Sequence, residues 1–339
     1  MSTTGEPPIA RREMLELLAR GLLTQAVVVA APLGIADLVA GGPRSAAELA
    51  EETGTQPDAL ARLLRALVAL GVLAREDDGR LSATPLSRAL EDGPGSIRAL
   101  AALVGEVTWR AWGALGQSVA TGEPAFRHEY GEGLFEYLGR EPGAARVFQA
   151  WMTEQSRLHS EALLGAIDLT GVERLVDVGG GRGTLLATLL GANPGLRGVL
   201  YDRPEVASTA EALAAAGIAD RAEAVGGDFF ESVPEGADRY VLKLVIHDWD
   251  DERAIRILDS VRRAIPPHGL LLLVEHLLPE GDGYDHAVWL DLNMLVMTDG
   301  GRERTVAEYR DLLARAGFRL TRIIPTSGPM SVIEAAPAP

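Results

Sequence analysis

The run Asp177-Val-Gly-Gly-Gly-Arg-Gly183 constrains this chain more than any other segment. An apolar strand candidate, Arg174 to Val178, leads into it, and a helix candidate, Thr184 to Leu190, leads out. Glycines in a strand-to-helix turn let the backbone approach a ligand closely and point helix N-terminal amides at it. The spacing is not G-x-G-x-x-G, because Thr184 stands where the third glycine would fall. Downstream the texture alternates. Gly198–Tyr201, Tyr240–Ile246 and Leu270–Val274 read as strands, and Ala224–Gly226 is short and ambiguous. Asp250–Ala264, Pro279–Thr298 and Thr305–Ala316 read as helices, the last opened by the capping box Thr305-Val-Ala-Glu308. Phe318–Ile324 and Met330–Glu334 close the chain as two strands. Such alternation specifies an α/β fold. It is a doubly wound, mostly parallel sheet with a C-terminal antiparallel hairpin, and ligands bind at the carboxyl ends of its strands.

Several polar residues fall at those strand ends. Asp202 closes the strand after the glycine turn, about where such folds hold a ribose diol, although a turn aspartate before Pro204 has the same look. Asp228 and Phe229, in Gly227-Asp-Phe-Phe230, pair a carboxylate with a ring that can stack on an adenine. Glycine turn, Asp202 and Asp228 in that order suit an adenosyl group without a pyrophosphate. His247 ends the next strand, in Lys243-Leu-Val-Ile-His-Asp-Trp249, where a side chain with an ordinary pKa near ~6.5 is a natural base. A lone histidine there also fits a cap or a satisfied core residue, and Asp248 and Asp250 fit helix N-caps. Glu275 and Glu303 are carboxylates that can reach one imidazole, fix its tautomer and stabilise its cation. His268, His276 and His286 lack metal-ligand spacing and read as surface or loop histidines.

Residues 11–95 are organised differently. Ser45-Ala-Ala-Glu48 is a capping box for a short helix to about Thr53, and Pro57 starts another that Gly71 ends. Val72–Arg75 and Arg80–Thr84 bracket an Asp-Gly turn as a β-hairpin. Helix, turn, helix and two-stranded ribbon describe a winged helix. Residues 1–95 carry nine arginines against thirteen acidic residues, and the whole chain has a net charge of −16. A DNA reader or an anionic-membrane binder needs clustered basic charge, so dimerisation is the better use of this module. Residues 96–165 form a helical linker that concentrates large side chains, among them Trp112, Phe148 and Met152, as core or as the lining for a flat ligand. Residues 166–337 form the α/β domain. Zero cysteines exclude disulfides and thiolate chemistry, and no apolar run reaches the ~18 residues of a membrane span. The N-terminus shows no basic and apolar leader pattern, so a cytoplasmic protein is expected.

The motifs VDVGGGRG, YDRPEV, GDFFESVP, KLVIHDWDDE, LLLVEHLLP and GGRERTVAEYRDLLARAGF, in this order, resemble the S-adenosylmethionine-dependent O-methyltransferases of the caffeic acid type. The likeness extends to bacterial relatives acting on aromatic polyketides, and it covers nearly the whole chain. It implies Gly179 and Gly181 at the methionine end of the cofactor, Asp202 on the ribose, and Asp228 and Phe229 at the adenine. Asp177, Arg203, Lys243 and Trp249 are expected to line the same site, with Ser156 near it. His247 matches the base, flanked by Glu275 and Glu303. Phe148, Met152 and Ser156 match a pattern in which the methionine contacts substrate, although Gln149 departs from the usual asparagine. Asn293, Met294 and Met297 follow the bacterial form of the acceptor lining. The resemblance implies a homodimer that uses S-adenosylmethionine, releases S-adenosylhomocysteine, and needs no metal. Non-methylating chemistry with the same cofactor is a second reading. A winged-helix ligand sensor is a third, which lacks the basic face it would need.

Overall fold

The computed structural model describes residues 7–209, 211–281, 283 and 285–339. The chain gathers into two compact units. One runs to Trp109 and takes back Arg146–Glu154; the other holds Arg110–Ala145 and Gln155–Pro339. The stretch 96–165 is therefore shared between them.

In the first unit a long helix, Pro7–Ala30, is followed by helices Ile35–Ala40, Ala46–Thr53 and Pro57–Ala69. Strands β1 (Leu73–Arg75) and β2 (Leu81–Ala83) then pair antiparallel, Leu73 against Ala83. The Ser45 capping box forms in both directions: Ser45 Oγ accepts from the Glu48 amide at 3.2 Å, and Glu48 Oε2 accepts from the Ser45 amide at 2.6 Å. Gly79 turns the hairpin with φ +85°. Leu49, Leu60, Leu64, Leu67 and Leu81 form the core of a winged helix. The first half of the long helix is different, since Leu15, Leu18 and Leu22 are 63–72% exposed.

The second unit is built on a seven-stranded sheet. Its strands are β3 (Arg174–Val178), β4 (Arg197–Asp202), β5 (Ala222–Gly226), β6 (Arg239–Lys243), β7 (Leu270–Glu275), β8 (Phe318–Pro325) and β9 (Ser331–Pro337). The order is β5-β4-β3-β6-β7-β9-β8, with β3 to β7 parallel and β8 and β9 antiparallel. Alternation along the strands covers both faces. Val176, Tyr240, Leu242 and Leu273 pack on one face, and Leu175, Val241, Leu272 and Val274 on the other. Strand order reverses between β3 and β6, so the crevice of such a sheet opens beyond their carboxyl ends.

The ambiguous strand is β5 at the sheet edge, where its side chains are mostly exposed and leave little apolar pattern to read. Two expectations need correction. The strand expected to reach Ile246 stops at Lys243, and the helix expected from Pro279 begins at His286. Residues 282 and 284 of that stretch lie outside the described residues. Among the described residues no helix is long and apolar enough to cross a membrane.

Candidate active site

The glycine turn leaves β3 with Gly179, Gly181 and Gly183 at φ +71°, +60° and +82°, a region that side-chain-bearing residues avoid. Gly180 is needed for a different reason. A Cβ there would sit 2.4 Å from Leu200 Cδ1 and 2.6 Å from Asp177 Oδ2. Above Gly181 nothing lies within 4 Å of a Cβ position, and its amide donates to Asp202 Oδ2 at 2.8 Å. Asp202 Oδ1 accepts from the Arg203 amide at 2.7 Å. Each Asp202 oxygen keeps a second lone pair for a ligand hydroxyl. Asp177 turns inward behind the glycines, 1% exposed, with Oδ2 unpartnered. Burial pushes its pKa up to about 7 against the pull of Lys243.

Beside this turn lies a group of rings. Phe229 meets Phe230 at 5.0 Å and Trp249 at 6.2 Å between centroids, and Phe135 stacks on Trp249 at 5.8 Å. A Cβ at Gly179 would lie 3.9 Å from the Phe229 ring, which puts the rings directly against the glycines. Asp228 Oδ1 accepts from the Phe230 amide at 2.8 Å and fixes that turn. Arg203 is exposed and pairs with Glu205 at 3.4 Å, on the surface side of β4's end. An open glycine cradle, a ribose-type aspartate and a ring cluster fit an adenosyl cofactor.

Across the switch point, β6 ends in a tightly held turn. Leu244 has φ +53°, the one side-chain-bearing residue with positive φ among the described residues. Its amide still bonds the Val274 carbonyl at 3.0 Å. The next two amides, Val245 and Ile246, donate to Glu275 Oε1 at 3.3 and 2.9 Å. Captured by a carboxylate, they cannot continue the ladder, which is why the strand stops early. A single 3₁₀ turn, Ile246–Asp248, then presents His247, 7% exposed. His247 Nδ1 meets Glu303 Oε1 at 2.8 Å, whereas Nε2 is 3.6 Å from Asp248 Oδ1, beyond hydrogen-bond range. With Glu303 ionised, the neutral ring carries its proton on Nδ1 and a bare lone pair on Nε2. Glu275 lies close but spends Oε1 on backbone. Asp250 caps the following helix, accepting from the Arg253 amide at 2.8 Å, while Asp248 stays at the imidazole and caps nothing.

Burial disfavours a charged ring, but Glu303, Asp248 and Glu275 outweigh it and push the His247 pKa up to about 10. Burial raises Glu275 to about 7 and Asp248 to about 6, partly offset by His247. His247, Glu275 and Glu303 bring one donor atom each within 4.8 Å of one another, close enough for a cation. The Oε1 atoms of both glutamates, however, are engaged in the bonds just described.

The O-methyltransferase domain family matches residues 112–319, and the O-methyltransferase dimerisation domain family matches residues 15–92. The chain belongs to the O-methyltransferase family. It is 43% identical over 326 residues to phenazine O-methyltransferase PhzM of Lysobacter antibioticus, covering 96% of this chain and 95% of that one. The solved structure of mitomycin 7-O-methyltransferase MmcR superposes with a TM-score of 0.91 at 38% identity, covering 98% of each chain. Aclacinomycin 10-hydroxylase RdmB of Streptomyces purpurascens is 39% identical over 331 residues, covering 94% of this chain and 88% of that one.

In this O-methyltransferase the remaining expected residues fall as follows. Trp112 Nε1 donates to Asn293 Oδ1 at 2.9 Å, tying the region after Arg110 to the helix His286–Met297. Met294 and Met297 are buried on that helix. Lys243 is half-buried and faces Asp177 and Glu275. Ser156 stands on the helix Pro142–Leu164, one turn before Ser160, whose hydroxyl bonds its carbonyl. Phe148 and Met152 stand on the same helix, in the stretch that belongs to the first unit.

Sequence reasoning missed Arg304. It is 1% exposed and donates to the carbonyls of Ile246 and Trp249 and to Asp251 Oδ1, at 2.8–3.2 Å, stapling the His247 turn from both sides. Gly301 is the other omission. A Cβ there would lie 2.7 Å from the His247 carbonyl, which accepts from the Arg302 amide at 2.8 Å. The signal for both was the Gly-Gly-Arg-Glu-Arg run around Glu303. His276 is a correction in part: it lies in the connection just after β7 ends at Glu275, but it is 1% exposed and not on the surface.

Proposed function

We propose that this S-adenosylmethionine-dependent O-methyltransferase methylates a hydroxyl on an aromatic small molecule, with His247 as the base. The observation that carries the reading is the His247 imidazole. Its Nδ1 is locked to Glu303, its Nε2 is left without a hydrogen bond, and it stands across the switch point from the glycine cradle. The named acceptors of the relatives, a phenazine and a mitomycin, support an aromatic acceptor from secondary metabolism. When bound, the cofactor supplies a methyl group on a sulfonium, which is already a good leaving group.

What the chain must supply is an oxyanion in line with that methyl. A phenol has a pKa of about 10, like tyrosine. The carboxylates around His247 bring the ring to about the same value, so a proton passing from phenol to Nε2 moves between groups of matched affinity. The imidazolium that results lies against Glu303, which stabilises it as a triad aspartate does. The same carboxylates favour the imidazolium in the free enzyme at neutral pH, so the ring must first give its Nε2 proton to solvent before that nitrogen can take the phenol's. A neutral phenol that binds as phenolate therefore releases one proton to solvent. Asp202 holds the cofactor's ribose in this reading. Phe229 and Trp249 flank its adenine, with Asp228 beside them, and Gly179, Gly181 and Lys243 lie at its methionine end. Asp177 backs the turn. Trp112, Asn293, Met294 and Met297 line the acceptor side. This reading gives a metal no role in the transfer. The exposed Leu15, Leu18 and Leu22 row on the long helix fits a second copy of the chain, in a homodimer built on the dimerisation domain.

Mass spectrometry with S-adenosylmethionine and a panel of phenols, hydroxyquinones and hydroxybenzoic acids tests the reading. A product heavier by one methylene, formed with S-adenosylhomocysteine, is expected. The resemblance to a hydroxylase keeps the second reading alive, in which the same cofactor serves non-methylating chemistry. Its mark would be an acceptor that changes while S-adenosylmethionine stays intact.

A further inference from the structure

Next to the His247 turn, in the same unit, lies a set of rings that the reaction does not use. His276 is 1% exposed, and neither ring nitrogen has a hydrogen-bond partner. The Pro329 carbonyl favours its protonated form, yet no bond to it is completed. His159, on the helix Pro142–Leu164, meets His276 edge-on at 6.5 Å, and its Nδ1 is buried without a partner. His286 and Trp289 continue the row, at 5.4 Å from His276 to His286 and 5.2 Å from His286 to Trp289. Buried polar atoms are nearly always paired, so three unpartnered ring nitrogens in one place among the described residues call for a partner.

The chemistry of that partner follows from the rings. A neutral imidazole has one N–H and one bare nitrogen. Both nitrogens of His276 are orphaned, so in either tautomer one of them is an unsatisfied donor. Burial and the neighbouring Lys243, His247 and His286 charges push both His159 and His276 down to about 4, so the pair is uncharged at neutral pH. Asp177, Asp248, Glu275 and Glu303 already crowd this end of the sheet, against Lys243 and His247. A further carboxylate would be repelled.

We infer that His276, with His159, forms an acceptor subsite for an uncharged hydrogen-bond-accepting atom carried on the substrate's ring system, a ring nitrogen or a ring carbonyl, with the flanking rings taking its flat face. The inference rests on the proposed aromatic O-methylation and names its substrate class. His276 sits one residue from Glu275 and within electrostatic reach of His247 and Glu303, so a substituent there belongs to a molecule whose hydroxyl is at the base.

The test is calorimetric binding to the full chain saturated with S-adenosylhomocysteine, in EDTA, using 1-naphthol, 8-hydroxyquinoline, 5-hydroxyquinoline and 1-hydroxy-2-naphthoate. At least one hydroxyquinoline should bind roughly five- to tenfold tighter than 1-naphthol, the worth of about one hydrogen bond. His276→Phe should erase that advantage and leave 1-naphthol unchanged, and His276→Gln, which keeps a donor and an acceptor, should restore part of it. His159→Phe serves as the independent variant should His276→Phe fail to fold. Equal binding of naphthol and hydroxyquinolines, or tightest binding of the carboxylate, overturns the subsite while leaving methyl transfer to the phenol panel intact. If nothing binds and no phenol is methylated, the proposed function itself has failed.

Discussion

The two turns that face each other across the switch point are built in opposite ways. The turn after β3 works by leaving side chains out: its glycines free the backbone to curve, and open space lies above Gly181. The turn after β6 works by burying charge. Glu275 takes two amides, Arg304 takes two carbonyls, and Glu303 takes the imidazole. A cofactor shared by many enzymes needs a surface that backbone alone can supply. In the proposed mechanism His247 needs a tuned proton affinity, and charged side chains brought from elsewhere in the chain tune it against burial.

The contrast makes each turn breakable without the other. His247→Ala should lower kcat by roughly 10²–10⁴ while cofactor affinity stays within about twofold. Turnover that survives would remove His247 from the mechanism. Arg304→Leu should cost about 1–3 kcal/mol for each of the two carbonyls that lose their buried donor, read in denaturant unfolding, while Asp251 keeps Arg315 at 3.6 Å. Wild-type stability in that variant would mean the staple is ornamental.

Glu303→Gln should move the His247 titration downward from about 10, followed by NMR of the labelled ring, with kcat falling alongside. The sign also reaches stability. A histidine whose folded pKa is raised contributes stability that is complete below the unfolded value of about 6.5 and is lost as pH climbs through the folded one. The wild type should therefore lose more stability than Glu303→Gln between neutral pH and about 10. An unmoved titration would detach Glu303 from the ring. Smallest is Gly181→Ala, which places a Cβ at φ +60° for about 1–2 kcal/mol. It should weaken S-adenosylhomocysteine binding about tenfold while the His247 titration stays put. A shift in that titration would show that the two turns are coupled after all.

What could be read from the sequence follows the same division. The glycine turn, the strand alternation and both capping boxes are local patterns, and a local pattern is written contiguously. Strand β5 was faint because an edge strand has half the apolar constraint. The end of β6 was misread because Val245 and Ile246 are apolar and look like more strand. Nothing near them announces that Glu275, some thirty residues on, will take their amides. Arg304 lay unremarked beside Glu303 because a buried guanidinium and a solvated one are spelled alike. The burial of His276 was not legible, since it comes from the elements packed around that loop position and not from its neighbours in sequence.

The reach of Arg304 back to the His247 turn sets an order of events as the chain is made. Residues 247 and 303 are separated by more than fifty positions, and synthesis proceeds from the N-terminus. The ribosome delivers the glycine cradle first, then a histidine that has neither its carboxylate nor its staple. Until the Gly300–Thr305 loop emerges, that histidine is an ordinary imidazole. A partly made chain can assemble a place for the cofactor before it can deprotonate anything, and a truncation between the end of β7 and Arg302 would keep the glycine cradle in the chain and remove both Glu303 and Arg304 from His247.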